Sequence, residues 1–415
     1  MVSHQLIRFL AESGDFEVAF ACVAFEERLP PAWAGDDLEA LARVGVALLP
    51  PIRLHEPSRR GLAIRFLRLL RGDPALIRGY GHPDALAAVQ QAFKPDALLT
   101  IWSEIATALT SDVDLPKFAY YGNPEHKILD ARLRLTWANS EASLGGRLAA
   151  SPPVRSLLVS AVRRAHLKLM ARQDWIGDVA MNDAEYYRSC GLVQAEYIRN
   201  MWVPPVRSYH EIRTSTEQTQ PFKILGNVGH LGATGNTHGL ATIAREILPH
   251  LKRRLGEGTF EIHLCGGGSP HPLVAPLLDD PHLKVRGFVD DLEEEMRTAP
   301  VFLVANNSSH FVVGHTRFLH AWSLGCCAVG FAESRLAMPE LEHGRNVLLG
   351  DNAEQVVEHI VTCARQPEVR RRIGTQALED LRTLFGASVA GSQVRQRVLA
   401  RLKLDRPESA KETAA

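Results

Sequence analysis

The sequence has no excess charge of either sign: Lys plus Arg and Asp plus Glu are 47 each in 415 residues. That balance removes the electrostatic case for a nucleic-acid binder, whose footprint is basic. It also lacks any apolar run near the roughly 20 residues that a membrane-spanning helix requires. Met1-Val2-Ser3-His4 has no basic segment leading into an apolar stretch, so no secretory signal is read and a cytoplasmic location is expected. The six cysteines, at 22, 190, 265, 326, 327 and 363, form no CxxC or Cys/His cluster of zinc spacing. Buried free thiols are expected. The seventeen histidines show no HExxH-like pairing, so the sequence indicates no metal site.

What is present is a globular composition, 46% apolar and 23% charged, on a chain too long for one ordinary core. Short apolar runs alternate with amphipathic stretches, the pattern of strand-helix units around a parallel sheet. In the first half the expected strands are Glu17 to Ala24, Val44 to Leu49, Asp96 to Ile101, Lys117 to Tyr121 and Trp175 to Met181. The pattern stops near Asn200 to Pro205, a polar stretch follows, and the alternation restarts at Phe222. There the expected strands are Phe222 to Asn227, Phe260 to Leu264, Lys284 to Val285, Val301 to Ala305 and Ala328 to Phe331, with helices at Asn236 to Arg254 and Thr316 to Leu324. Val394, Val398 and Leu402 recur four apart and line one face of a last helix.

These boundaries give an N-terminal domain over 1–203, a hinge linker over 204–221 and a C-terminal domain over 222–387. A helix over 388–405 is expected to pack back toward the N-domain, ahead of a tail at 406–415. The start is unusual, because Val2 to Ala11 reads as a helix before any strand, whereas a doubly wound domain begins with a central strand. Either a first strand is missing, which is the expectation, or the domain is built differently.

In the second half glycines follow several strands. Gly226-Asn227-Val228-Gly229-His230-Leu231-Gly232 follows one, and Cys265-Gly266-Gly267-Gly268 follows the next. An open parallel sheet binds ligands at its carboxyl ends, and glycine lets backbone N–H groups approach phosphate oxygens. Next come Lys284 to Leu292 with Gly287-Phe288-Val289, then Gly314-His315-Thr316-Arg317-Phe318-Leu319-His320-Ala321-Trp322-Ser323-Leu324-Gly325. The series ends in Glu342-His343-Gly344-Arg345-Asn346.

This succession resembles glycosyltransferase family four, whose pattern runs through a Lys-x-Leu-Glu-Ala-x-Ala-x-Gly helix into a Glu-x-Gly-x-Asn turn. The resemblance covers residues 222 to 385. It implies an α/β GT-B fold, two Rossmann-like domains with parallel sheets facing a central cleft. It also implies a hexosyltransferase that retains anomeric configuration, with a nucleotide-diphosphate sugar as co-substrate and no further cofactor. The donor-binding positions carried over are Gly229, His230, Gly232, Asn236, Gly266, Gly267, Phe288, Val289, Val313, Gly314, His315, Thr316 and His320.

The departures bear on mechanism. His230 and Asn236 stand where the family has cations for the donor diphosphate, Val312 and His320 where it has two glutamates, and Arg317 where it has a lysine. Arg317 can grip phosphate bidentately and is the expected main electrostatic group of catalysis, helped by the backbone of Gly229 to Gly232. His320 can still bond a ribose hydroxyl; the alternative is a histidine packed beside Trp322.

On the acceptor side, Trp102-Ser103-Glu104 and Tyr121-Gly122-Asn123 with Glu125 and His126 follow consecutive strands. Glu104 and His126 are the candidates for orienting an acceptor hydroxyl on a glycan, lipid or protein. Residues 53 to 78 carry seven arginines against two acids, and Val154 to Arg172 carries Arg155, Arg163, Arg164, Lys168 and Arg172 with no acid. Such helices suit peripheral contact with the inner face of a membrane, or form an ordinary solvated face. Two other functions stay open: a non-catalytic GT-B binding or scaffold protein, and a nicotinamide-dependent dehydrogenase, whose GxGxxG spacing the glycine run fits poorly.

Overall fold

The computed structural model describes residues 2–25, 36–54, 71, 83–213, 221–306, 312 and 316–404. The N-terminal domain opens with α1 (Val2–Glu12), β1 (Ala19–Phe20), β2 (Val23–Phe25), α2 (Asp36–Arg43), β3 (Ala47–Leu48) and β4 (Ile52–Leu54). After α3 (Pro83–Phe93) come β5 (Leu98–Ile101), α4 (Glu104–Thr110), β6 (Lys117–Tyr121) and α5 (Glu125–Ala138). They are followed by α6 (Leu144–Ala150), α7 (Pro152–Met170), β7 (Trp175–Asp178), α8 (Met181–Ser189) and β8 (Ala195–Tyr197). Strand β7 stops at Asp178 rather than Met181, because the Asp178 carboxylate accepts the Ala180 N–H at 2.8 Å and turns the chain into α8.

β5, β6, β7 and β8 form a parallel sheet in that order. β1 pairs with β3 and β2 with β4, also in parallel. The two short ladders are one pairing interrupted at Pro50-Pro51, which have no N–H to donate. Among the described residues β1 and β5 each pair on one side only, and Val18, Phe20 and Ile101 join Ile7 of α1 in one apolar cluster.

The C-terminal domain contains β9 (Phe222–Val228), α10 (Thr234–Thr242), α11 (Leu248–Leu255), β10 (Phe260–Cys265), β11 (Leu283–Gly287), α12 (Leu292–Thr298) and β12 (Val301–Val304). Then follow α13 (Thr316–Ser323), β13 (Cys327–Phe331), α14 (Ser334–Ala337), β14 (Leu348–Gly350), α15 (Ala353–Arg365) and α16 (Pro367–Leu384). A wide π turn at Ile243–Ile247 splits the single helix expected over 236–254, and it sits just before Pro249, which cannot continue the ladder of hydrogen bonds. All six strands are parallel, in the order β11-β10-β9-β12-β13-β14.

Alternate residues of these strands feed opposite faces. Val301 and Leu303 join one apolar cluster, and Phe302 and Val304 the other. Helices cover both faces, which is why the strands read as unbroken apolar runs. The strand order reverses between β9 and β12, and the crevice outside that reversal is where such sheets hold ligands.

The expected hinge linker needs correction. A short helix, α9 (Tyr209–Ile212), lies inside it, closed by the Ser208/Glu211 capping box. Arg213 is buried and donates to the carbonyls of Met296 at 3.1 Å and Ala299 at 2.8 Å and to the Cys326 Sγ at 3.3 Å. Arg382 donates to the carbonyls of Pro205 and Arg207. The stretch from Pro205 to Arg213 is therefore bonded to the C-domain, and the polarity that suggested a loose linker serves to dock it.

The chain returns through a π turn at Ala387–Gly391 into α17 (Ser392–Leu404). Val394 and Val398 of α17 pack with Leu6, Phe118, Tyr120 and Trp175 in the N-domain core. Arg397 and Arg401 pair with Glu196 and Asp174. The outgoing and returning crossings are tied together where the Trp202 N–H donates to the Phe385 carbonyl at 2.9 Å.

Candidate functional site

The loops after β9, β10 and β12 meet at the reversal point. A Cβ on Gly266, whose φ is +146°, would lie 1.8 Å from the Gly229 carbonyl oxygen, so glycine is demanded there by a second loop. The N–H groups of Gly229 and Leu231 donate to the carbonyls of Cys265 at 3.1 Å and Gly267 at 3.0 Å. That of Gly232 donates to His230 Nδ1 at 3.2 Å. Three of the four N–H groups expected to cradle phosphate are thus engaged inside the protein. The His230 ring fills the space beside Gly268, where a Cβ would come within 2.3 Å of Nε2.

Arg317, in the first turn of α13, reaches back under this turn. Its Nε donates to the Val228 carbonyl at 3.3 Å and its Nη2 to Asn236 Oδ1. Among the described residues it has no carboxylate partner, and burial alone lowers its pKa to about 10. Asn236 is 2% exposed and Asn306 3% exposed. The Asn236 amide donates to the His230 carbonyl at 2.8 Å, while Asn306 Nδ2 donates to Asn236 Oδ1 at 2.8 Å and to the Gly235 carbonyl at 3.1 Å.

Thr316 opens α13 beside Arg317; Val313, Gly314 and His315 lie outside the described residues. Phe288 follows β11 and is 79% exposed, whereas Val289 packs inward. Among the described residues nothing beyond its chain neighbours comes within 4 Å of a Cβ placed on Gly267, so its loop surface faces open space there. His320 packs against Trp202, with ring centroids 5.7 Å apart. Burial lowers its pKa, and its Nε2 has no partner among the described atoms.

On the other domain Trp102 and Asn123, just past β5 and β6, adopt φ of 53° and 66°. For tryptophan the left-handed region costs roughly 1–2 kcal/mol, and such strain gathers at working sites. Glu104 Oε1 lies 2.8 Å from His166 Nδ1, and His166 Nε2 lies 2.7 Å from the Tyr187 hydroxyl. A carboxylate only accepts, which places the imidazole proton on Nδ1 and leaves Nε2 for the tyrosine. The His126 ring stands 6.2 Å from that of His166 and 5.2 Å from that of Tyr186.

Burial first, then the neighbouring His166, lowers the His126 pKa to about 3, so it is a neutral imidazole and a weak base. Burial raises the carboxyls of Glu125, Asp178 and Asp183, the last despite its pairing with Lys127. Trp102 Nε1, His126 Nδ1, Asp178 Oδ2, Asp183 Oδ2 and the Tyr186 hydroxyl are buried without partners among the described atoms.

The structure thus gathers Gly229, His230, Gly232, Asn236, Gly266 and Arg317 at one place and Glu104 and His126 at another. The two domains approach through α5 and α10, where burial and then the charge of Arg134 lower the His238 pKa, and through Glu340, which accepts from Tyr197 and Arg199 at 2.8 Å each. Sequence reasoning missed Asn306, Lys127, His166, Asp178, Asp183 and Tyr187. Asn306 was signalled by its place just past β12; His166 lay hidden in the basic stretch on α7.

In that basic stretch, Arg155 pairs with Asp130, Arg172 with Asp112, and Arg163 lies over the Tyr186 ring. The membrane expectation thereby loses part of its free charge. No helix among the described residues is long and apolar enough to cross a membrane.

The architecture is a GT-B fold. Similar solved structures include HepE from Anabaena with UDP and glucose, 13% identical over 96% of each chain with a TM-score of 0.59. Sucrose-phosphate synthase from Thermosynechococcus elongatus is 14% identical over 94% of this chain and 100% of its own, with a TM-score of 0.61. At such identities the likeness concerns the fold. Residues 222–366 match the model of the family described as glycosyl transferases group 1, in agreement with the resemblance carried by the motifs. No curated protein matches the chain.

Proposed function

We propose that this protein transfers a hexosyl group from a nucleoside-diphosphate sugar to an acceptor hydroxyl with retention of configuration. The observation that carries the reading is Arg317, a partly buried guanidinium with no carboxylate partner among the described residues, placed at the strand-order reversal beside the glycine turns. A cation partly withdrawn from water without a counter-charge is costly in proportion, and an anionic ligand relieves that cost. The donor diphosphate is such an anion, and HepE, of the same fold, was solved with UDP-glucose.

In the reaction the bond from the anomeric carbon to the leaving phosphate oxygen breaks, and a bond to the acceptor oxygen forms on the same face. The acceptor proton passes to the leaving phosphate, whose growing charge Arg317 stabilises. Glu104, held by His166, and neutral His126 orient the acceptor. A base with a pKa of about 3 binds a hydroxyl but does not deprotonate it efficiently at neutral pH.

Calorimetric titration with UDP, GDP and ADP tests this reading. Arg317→Ala should weaken the best ligand roughly 10- to 150-fold, the range for one charge-assisted hydrogen bond, and Arg317→Lys should restore part of it. Equal affinity in all three proteins would sink the reading.

The internal use of the Gly229, Leu231 and Gly232 N–H groups favours a second reading, a GT-B protein that binds without catalysis. Nucleotide binding without release of sugar or transfer from a donor panel would support it.

A further inference from the structure

Asn236 occupies a position where a ligand contact was expected, yet its side chain is consumed within the protein. Its Nδ2 donates to the His230 carbonyl at 2.8 Å, which fixes the amide so that Oδ1 faces away from that carbonyl. Oδ1 then accepts from Asn306 Nδ2 at 2.8 Å and from Arg317 Nη2. Asn306 is itself held by its second donation, to Gly235 at 3.1 Å. Both asparagines are almost wholly buried. The guanidinium is also fixed at its other edge, where Nε meets the Val228 carbonyl.

All these acceptors are neutral. An amide oxygen or a carbonyl satisfies a guanidinium N–H without cancelling its charge, whereas a carboxylate at the same place makes an internal ion pair. The geometry points to Asn236 as a positioning residue that aims Arg317 at the donor diphosphate while leaving its charge unspent, with Asn306 locking the amide in the required orientation. This inference rests on the donor-site reading above. It adds that the electrostatic strength of the site is set by the neutrality of residue 236, two contacts from the ligand.

Asn236→Asp is nearly isosteric, keeps an acceptor for Arg317 and supplies the charge that the native residue withholds. UDP affinity should fall about 10-fold or more, as for loss of a charge-assisted contact. The dependence of affinity on sodium chloride should flatten to that of Arg317→Ala, because one net charge has left the site. Pyrophosphate, which lacks base and ribose, should lose competing power against UDP in the same variant. Asn306→Ala removes one of the bonds that hold the amide, leaving only the His230 carbonyl and Arg317 to orient it, and should weaken UDP several-fold while keeping the native salt dependence.

Melting temperatures without ligand establish that each variant is folded, and Asn306→Ala carries the test if Asn236→Asp is not. A folded Asn236→Asp protein with native UDP affinity and native salt dependence overturns the inference. So does native affinity in folded Asn306→Ala when Asn236→Asp fails to fold. If Arg317→Ala weakens UDP and these variants do not, only the role of Asn236 falls. If Arg317→Ala is also silent, the donor-site reading falls with it.

Discussion

In the C-terminal domain one six-stranded sheet carries apolar clusters on both faces, with Trp322, Phe302 and Phe318 among its largest fully buried side chains. The N-terminal domain divides its described strands among three sheets and buries His126, His166, Asp178 and Asp183, with Glu104 beside them half-buried, around the carboxyl ends of β5 to β7. One domain gains stability from packing, while the other holds polar groups whose cost only partners or protonation offset. The two should therefore respond to different perturbations.

The largest effect is expected from Trp322→Ala, which empties the middle of the C-domain core and should cost about 3–5 kcal/mol. Hydrogen exchange reads the two domains separately. The loss should appear in β12 and β13 and leave β5 to β7 protected; an equal loss in both would merge the two regions into one cooperative unit.

Acid should act on the other domain. The His126 pKa is lowered from 6.5 to about 3 on folding, so the unfolded chain takes the proton first. Its contribution is complete above pH 6.5 and is lost as pH falls toward 3, by at most about 1.4 kcal/mol per pH unit. Between pH 6.5 and 5 that amounts to about 2 kcal/mol or less. His126→Asn should flatten this slope in urea melts, and an unchanged slope would remove His126 as its source.

A smaller effect is expected from Tyr187→Phe, which removes the hydroxyl 2.7 Å from His166 Nε2 and should cost about 1 kcal/mol. If acceptor orientation depends on Glu104 through His166, KM for acceptor should rise more than for donor. The least effect belongs to Phe288→Ala, within about 0.5 kcal/mol of native stability because the ring is 79% exposed. A loss of nucleotide affinity without a loss of stability would mark that ring as part of the base site.

The same contrast explains what the sequence revealed. Strands such as Phe222–Val228 and Val301–Val304 are buried on both faces and announce themselves as apolar runs. β4, β8 and β14 are three residues each, too short for a period to show, and were missed. The glycine turns were visible, but not that Gly266 is glycine because Gly229 lies against it from 37 positions away. Arg213 looked like solvent-facing linker because its three acceptors belong to residues 83 to 113 positions further on. Charge in a sequence does not say whether it meets water or carbonyls.

The Trp202–Phe385 bond has a mechanical consequence. Two segments crossing between domains, clasped at one point, leave rotation about that point as the easy motion and resist sliding of one domain along the other. Any such rotation must also break or carry the bonds from Tyr197 and Arg199 to Glu340.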